Sequence, residues 1–69
     1  MHVFGSTRLA ERLKELKELR PRIEVREAAD VIGLLTDPEC FGTLVQRYGW
    51  TFDRAEAWVT SALTALLLK

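Results

Sequence analysis

The C-terminal third of the sequence has the most regular hydrophobic pattern in the chain. Apolar residues recur there at helical spacing and form a wide stripe: Ala55, Trp58, Val59, Ala62, Leu63, Leu66 and Leu67. A helix with such a stripe buries it against neighbouring helices. Because the whole chain has only 69 residues, the remaining short helices cannot cover a stripe this wide. The excess predicts an interface between two copies of the chain.

A first helix is predicted from Ser6 to Leu19. Its apolar residues, Leu9, Leu13 and Leu16, form a narrow stripe on an otherwise charged helix. Ser6 or Thr7 can cap its start, and Pro21 disfavours helix beyond Leu19. Residues 1–5 are expected to form a disordered extension, which leaves residues 6–69 as a single domain.

Three further helices follow from local signals. The second runs from Val25 to Leu35, although Glu24 is a poor residue for its N-cap. The next begins at Asp37-Pro38, where Asp37 caps and Pro38 takes the first helical position, and Gly49 ends it. Thr51 caps the last helix. The predicted fold is all-α, a short antiparallel bundle of about four helices that dimerisation completes into an intermolecular four-helix bundle.

Charge and composition argue against nucleic-acid and membrane partners. The formal net charge is zero, so no overall field attracts the chain to nucleic acid or to anionic lipid. The basic residues of the first helix alternate with glutamates, which favours a solvated face of mixed charge. The apolar runs are too short to span a bilayer. A single cysteine, Cys40, excludes an internal disulfide and is typical of a reducing cytoplasm.

The sequence offers no set of residues for catalysis, metal binding or a cofactor. It has no Ser-His-Asp combination and no glycine-rich phosphate loop, so we expect no enzymatic activity. His2 is the only histidine, and one histidine with one cysteine cannot supply the three or four ligands of a metal site. Cys40 is interpreted as a small, buried apolar residue.

The second and fourth helices supply the predicted interface. The residues assigned to it are Ile32, Leu35, Trp58, Val59, Ala62, Leu63 and Leu66. Phe41, Tyr48 and Trp50 lie between these helices in the sequence. Aromatic side chains line ligand pockets, and they also anchor cores and interfaces. Contact with a small effector and a packing role are therefore both open for these three residues.

Short motifs over residues 9–68 resemble, in order and spacing, the C-terminal region of TetR-family transcriptional regulators. They are Leu19-Arg20-Pro21, Glu27-Ala28-Ala29-Asp30-Val31-Ile32, Leu34-Leu35-Thr36-Asp37-Pro38-Glu39, Leu44-Val45, Tyr48-Gly49-Trp50 and Glu56-Ala57-Trp58. Two positions depart from the family pattern. Glu24 stands where a capping residue is usual, and Gly33 stands where a large side chain is frequent.

The resemblance implies a dimerisation module of a transcriptional regulator. In that family, the helices that correspond to residues 24–36 and 51–68 form an antiparallel four-helix bundle with a second subunit. The family's helix-turn-helix domain has no counterpart in these 69 residues, so direct DNA binding is not expected. The implied partner is a second copy. Alternatives are a small-molecule effector, or a full-length TetR-type repressor with which this chain would form heterodimers that hold one DNA-binding head.

Overall fold

A computed structural model describes residues 3–69, with side chains from residue 5 onward. This part of the chain forms α1 (Val3–Glu15), α2 (Val25–Leu35), α3 (Pro38–Gly42), a π-helical segment (Thr43–Arg47) and α4 (Phe52–Leu67). Residues 3–69 contain no β-strand, although Leu19 and Leu68 form an isolated antiparallel bridge. The predicted all-α helical fold is confirmed, and its completion by a second copy remains a prediction.

Helix α1 is displaced toward the N-terminus relative to its predicted position. It begins at Val3 rather than Ser6, and the disorder expected for residues 1–5 stays a prediction. Met1 and His2 lie outside the described residues. Ser6 therefore lies within the helix rather than at its N-cap, and its side chain is buried. Its Oγ atom lies 3.5 Å from the position that a Cβ atom would take at Gly33.

A Schellman motif ends α1 at Glu15, four residues before the predicted end. The N–H of Glu18 donates to the carbonyl of Leu13, and the N–H of Lys17 donates to the carbonyl of Lys14, each at 3.0 Å. Lys17 takes the left-handed conformation, with φ of 58°, that glycine usually provides in this motif. Because a Cβ atom is unfavourable in that conformation, the turn costs about 1 kcal/mol more with lysine than with glycine.

The predicted bounds of α2 are confirmed, and so is the weakness of its start. Glu24 has extended backbone but makes no capping hydrogen bond through its side chain. The predicted starts of α3 and α4 are also confirmed. Asp37 accepts a hydrogen bond from the N–H of Glu39 at 2.8 Å, and Thr51 accepts one from the N–H of Arg54 at 3.1 Å.

The helix that starts at Pro38 changes type before it ends. The N–H of Tyr48 donates to the carbonyl of Thr43 at 3.2 Å, a five-residue spacing that defines the π-helical segment. Gly49 follows with φ of 73°, so the predicted left-handed glycine ends this helix. The wider π turn lets Trp50 reach back, and its N–H donates to the carbonyl of Leu44 at 3.0 Å.

The core lies mainly between α1 and α2, where small residues let the two backbones approach closely. Eight hydrophobic side chains are buried among the described residues, and four of them are alanines: Ala10, Leu19, Ala28, Ala29, Ile32, Ala55, Val59 and Leu67. Of the predicted stripe of α1, Leu13 is partly buried and packs against the core, whereas Leu9 and Leu16 are exposed. The reason is steric, since a leucine row would hold α1 away from Ala28, Ala29 and Gly33.

The end of α4 is attached to the chain segment that follows α1. The N–H of Arg20 donates to the carbonyl of Leu67 at 2.8 Å, and the N–H of Lys69 donates to the carbonyl of Glu18 at 3.1 Å. The Arg20 guanidinium also donates to the carbonyl of Ala65 at 3.0 Å. These bonds fix the direction of α4 across α2 and determine which side of α4 faces the core.

Candidate association surface on helix α4

Helix α4 carries two apolar stripes, and only one of them faces the protein's own core. The inner stripe consists of Ala55, Val59, Leu63 and Leu67, which recur every four residues. Ala55, Val59 and Leu67 are buried, and the partly buried Leu63 packs against the core. The inner stripe therefore accounts for the attachment of α4 to the rest of the chain.

The second stripe lies beside the first and faces outward. We call it the outer stripe, and it consists of Trp58, Ser61, Ala62, Ala65 and Leu66, at helical positions i, i+3, i+4, i+7 and i+8. Trp58 is 45% exposed and Leu66 is 53% exposed. Ser61 and Ala65 are exposed, and Ala62 is partly exposed. This spacing is typical of a helix face that packs against another helix, yet no helix of the described chain packs over it and about half of Trp58 and Leu66 stays exposed.

The outer side of α4 also lacks charge. Residues 57–68 contain no Asp, Glu, Lys or Arg, whereas seven of the eleven residues 8–18 on α1 and its C-terminal turn are charged. Charged residues are depleted in the centres of protein interfaces, where aromatic residues are enriched. The contrast distinguishes α4 from an ordinary solvated helix and makes the outer stripe the candidate site for association.

The structure divides the predicted interface residues into three groups. Trp58 and Leu66 are well exposed, and Leu35, Ala62 and Leu63 are partly exposed. Ile32 and Val59 are only 2% and 4% exposed, so the single chain does not present them at its surface. Both side chains are buried within their own chain, where they join the small internal core. Sequence periodicity could not separate these groups, because inner and outer stripes merge into one wide pattern.

Aromatic side chains pack against one another at the N-terminal end of the outer stripe. The Trp50 and Trp58 rings meet edge to face, with centroids 6.1 Å apart and planes at 85°. The Arg54 guanidinium lies over the Trp50 ring, 3.9 Å from its centroid. A T-shaped aromatic pair and a cation–π contact are both favourable. They hold Trp58 in one orientation, which lowers the entropy that it would lose in an interface.

A separate apolar cleft lies between the start of α3, the π-helical segment and the start of α4. It has a volume of about 440 Å³, and its lining consists of Thr36, Pro38, Phe41, Gly42, Val45, Gln46 and Phe52. Phe41 and Phe52 stack with ring centroids 5.5 Å apart and an interplanar angle of 24°. Among the three predicted effector contacts, Phe41 lines this cleft, whereas Trp50 and Tyr48 do not.

Sequence reasoning identified Ala62 but missed Phe52 and two other small members of the outer stripe, Ser61 and Ala65. Phe52 follows the capping Thr51, where no periodicity marks it, and only the fold brings it against Phe41. Ser61 and Ala65 were not recognisable as surface candidates because small residues carry little hydrophobic signal. Their helical spacing from Trp58 and Leu66 was the available clue.

Other kinds of site find little support in the described part of the chain. No group of three His, Cys, Asp or Glu side chains within it is arranged to hold a metal ion. Cys40 is a free thiol of intermediate burial. None of the helices in residues 3–69 combines the length and apolarity required to cross a bilayer.

The comparisons with known proteins identify no relative of this chain. No protein-family model, curated protein sequence or solved structure matches the chain. The resemblance to TetR-family regulators therefore stays a prediction from short motifs, and functional inference depends on the geometry of α4 and of the apolar cleft.

Proposed function

We propose that this chain is a self-association module in which two copies pair through the outer stripe of α4. The resemblance to the C-terminal region of TetR-family regulators supports the same role, because the corresponding helices pair between subunits in that family. The observation that carries the proposal is the outer stripe itself. Trp58 and Leu66 are each about half exposed on a helix that has no charge from residue 57 to residue 68.

The exposed surface of a single copy is larger than its size requires. A folded monomer of this mass is expected to expose about 4,400 Å², whereas the chain exposes 5384 Å². The difference is about 1,000 Å², and a standard interface buries about 800 Å² on each partner. A second copy would therefore cover an area close to the excess.

The shape and the core support the same conclusion. The Cα radius of gyration is 12.6 Å, compared with about 11 Å for a compact chain of this length. The Cα atoms extend over 37 × 22 × 15 Å, so the helices form a thin slab. Half of the buried hydrophobic side chains in the described chain are alanines, which contribute little apolar area. Pairing through α4 would thicken the slab and bury larger side chains.

The mass in solution tests the proposal directly. Light scattering over a dilution series is expected to give a mass of about 16 kDa, twice the 7.9 kDa of one chain. The measured mass should fall toward that of one chain only on strong dilution. A folded protein of 7.9 kDa at every concentration would overturn the proposal. Circular dichroism on the same samples distinguishes a folded monomer from an unfolded chain.

The apolar cleft favours binding of a small apolar effector as a second candidate function. Its volume of about 440 Å³ lies within the range of roughly 300–1,000 Å³ that is usual for small-molecule sites. Its lining is mainly apolar, and Thr36 and Gln46 supply polar groups at the margin. This combination suits a ligand with one aromatic ring system and a few polar atoms.

Binding of the dye 1-anilinonaphthalene-8-sulfonate tests the second candidate. The dye is expected to become fluorescent with the native chain and with Tyr48→Ala, which removes an exposed aromatic side chain outside the cleft. Phe52→Ala removes one wall of the cleft and is expected to abolish most of this signal. Equal fluorescence of the two variants would exclude the cleft as the binding site.

A further inference from the structure

The π-helical segment joins the apolar cleft to the outer stripe. Two of its side chains, Val45 and Gln46, line the cleft. Its Leu44 carbonyl accepts the N–H of Trp50 at 3.0 Å. The Trp50 ring in turn meets the ring of Trp58, at the N-terminal end of the outer stripe, edge to face. The two candidate sites therefore depend on the same short piece of backbone.

The hydrogen bonds of this segment have an α-helical alternative. The observed π turn joins the N–H of Tyr48 to the carbonyl of Thr43, whereas an α-helix joins residues four apart. In an α-helical form, the N–H of Tyr48 would bond to the carbonyl of Leu44, and the N–H of Trp50 would lose that acceptor. Gly49 is compatible with either form, because glycine adopts both the left-handed φ of 73° observed here and a helical φ. Single π turns of this kind occur frequently at functional sites.

We propose that the exchange between these two forms couples the cleft to self-association, so that a ligand in the cleft strengthens the dimer. Because the α-helical form has fewer residues in each turn, it would rotate Val45 and Gln46 about the helix axis, away from their places in the cleft wall. A ligand that contacts both side chains therefore favours the π form. The π form holds Trp50 against Trp58. This inference rests on both proposed functions and adds the link between them.

The effect on the dimer follows from the orientation of Trp58. Release of Trp50 would free the Trp58 ring, which would then lose more entropy when a partner covers it. A ligand that favours the π form therefore lowers the free-energy cost of association. Couplings between two binding events change an affinity by about 5- to 150-fold, and they are reciprocal. We expect a change near the lower limit, because Trp50 contacts the outer stripe at one end.

The dissociation constant of the dimer, measured with and without 1-anilinonaphthalene-8-sulfonate, tests this coupling. Light scattering over a dilution series gives the constant, and the dye is added at a saturating concentration. In the native chain, the dye is expected to lower the dissociation constant by about fivefold. Phe52→Ala, which lacks one wall of the cleft, is expected to show no change. This variant controls for dye that binds elsewhere on the dimer.

Trp50→Ala removes the connecting ring and leaves both sites in place. Trp50 belongs neither to the cleft lining nor to the outer stripe, so this variant is expected to bind the dye and to dimerise. Its dissociation constant should be the same with and without the dye. Gly49→Ala tests the backbone instead, since it disfavours the left-handed φ of the π form. It should weaken dye binding and dimerisation together, whereas Gly33→Ala, the same change on α2, should weaken neither.

The outcomes separate failure of the coupling from failure of the proposed functions. Equal dissociation constants in a native chain that dimerises and binds the dye in its cleft would overturn the coupling alone. Weakening of the dimer by the dye, or a dye effect that persists undiminished in Trp50→Ala, would also overturn it. A native chain that stays monomeric with and without the dye would overturn self-association and the coupling. Equal dye binding by Phe52→Ala and the native chain would overturn the cleft as the ligand site, and the coupling with it.

Discussion

Replacing Leu66 with glutamate is expected to dissociate the dimer without unfolding the chain. Leu66 is 53% exposed in the single chain, so the fold depends little on its side chain. In the proposed dimer, the same position lies in the interface and is closed off from water. A carboxylate there would be buried in a stretch of α4 that offers no charged partner, because residues 57–68 carry none.

The size of the effect follows from the exposed fraction and from desolvation. Complete burial of a leucine is worth about 1.5–3 kcal/mol, so the half that is still exposed contributes about 1–1.5 kcal/mol per copy. Loss of this contribution from both copies costs about 2–3 kcal/mol. Burial of two unpaired carboxylates adds at least about 4 kcal/mol. A total of about 6 kcal/mol corresponds to roughly four orders of magnitude in Kd.

Leu34→Glu is the matched control. Leu34 is 68% exposed and is the second-last residue of α2, as Leu66 is of α4. Each substitution therefore places a carboxylate at the negative end of a helix, with a similar cost of about 0.3–1 kcal/mol to the fold. Light scattering and circular dichroism should give a folded monomer for Leu66→Glu and a folded dimer for Leu34→Glu. A Leu66→Glu chain that dimerises with the native Kd would refute the assignment of the outer stripe.

Three substitutions test the backbone analysis through the midpoint of urea unfolding. Lys17→Gly is expected to stabilise the fold by about 1 kcal/mol, because it relieves a left-handed φ of 58°; an unchanged midpoint would contradict this. Gly33→Ala should stabilise by about 0.5–1 kcal/mol, since the new Cβ atom meets Ser6 Oγ at an ordinary 3.5 Å. Destabilisation would show that α1 lies closer to α2. Gly49→Ala should destabilise by about 1 kcal/mol through strain at φ of 73°, as nothing lies within 4 Å of its Cβ position; a neutral result would show that this turn adjusts.

Where a local signal determines a structural feature, the sequence predicted it well. The start of α3 depends on Asp37 and Pro38, and the start of α4 depends on the Thr51 hydroxyl. Each acts within a few residues of the feature that it forms. Gly49 likewise ends a helix because its own backbone can take a positive φ. Such features do not depend on the rest of the fold, so a single sequence is enough to locate them.

The features of α1 depend on contacts that are distant in sequence. Lys17 gives no local sign of a left-handed turn, and the turn is compensated by the pairing of Leu19 with Leu68. The hydrophobic pattern predicted a stripe of Leu9, Leu13 and Leu16, of which only Leu13 packs against the core. Close packing on α2 instead buries Ser6 and Ala10. Hydrophobicity indicates which residues gain from burial, but it does not show how near two backbones will come.

The outer stripe shows the same limit at the candidate site. The sequence predicted a wide apolar pattern on α4, and part of that pattern is exposed, but the sequence could not divide it into inner and outer halves. The sequence pattern assigned Ile32 and Val59 to the interface between two copies, although their side chains are buried within the single chain. The division depends on the direction of α4 across α2, which the bonds from Arg20 and Lys69 fix at the far end of the helix.

The distribution of charge gives the two long helices different surroundings in the proposed dimer. On α1, exposed Arg12 and Glu15 pair at 3.3 Å, an arrangement that contributes little to stability and keeps this face hydrated. The outer side of α4 has no charged groups for water to hydrate, so its exposure brings no comparable gain in hydration free energy. A dimer that pairs α4 with α4 would therefore place both uncharged faces at its centre and leave both charged α1 helices outside. Any other pairing would desolvate the charges of α1 or leave Trp58 and Leu66 in water, so the charge pattern itself favours pairing through α4.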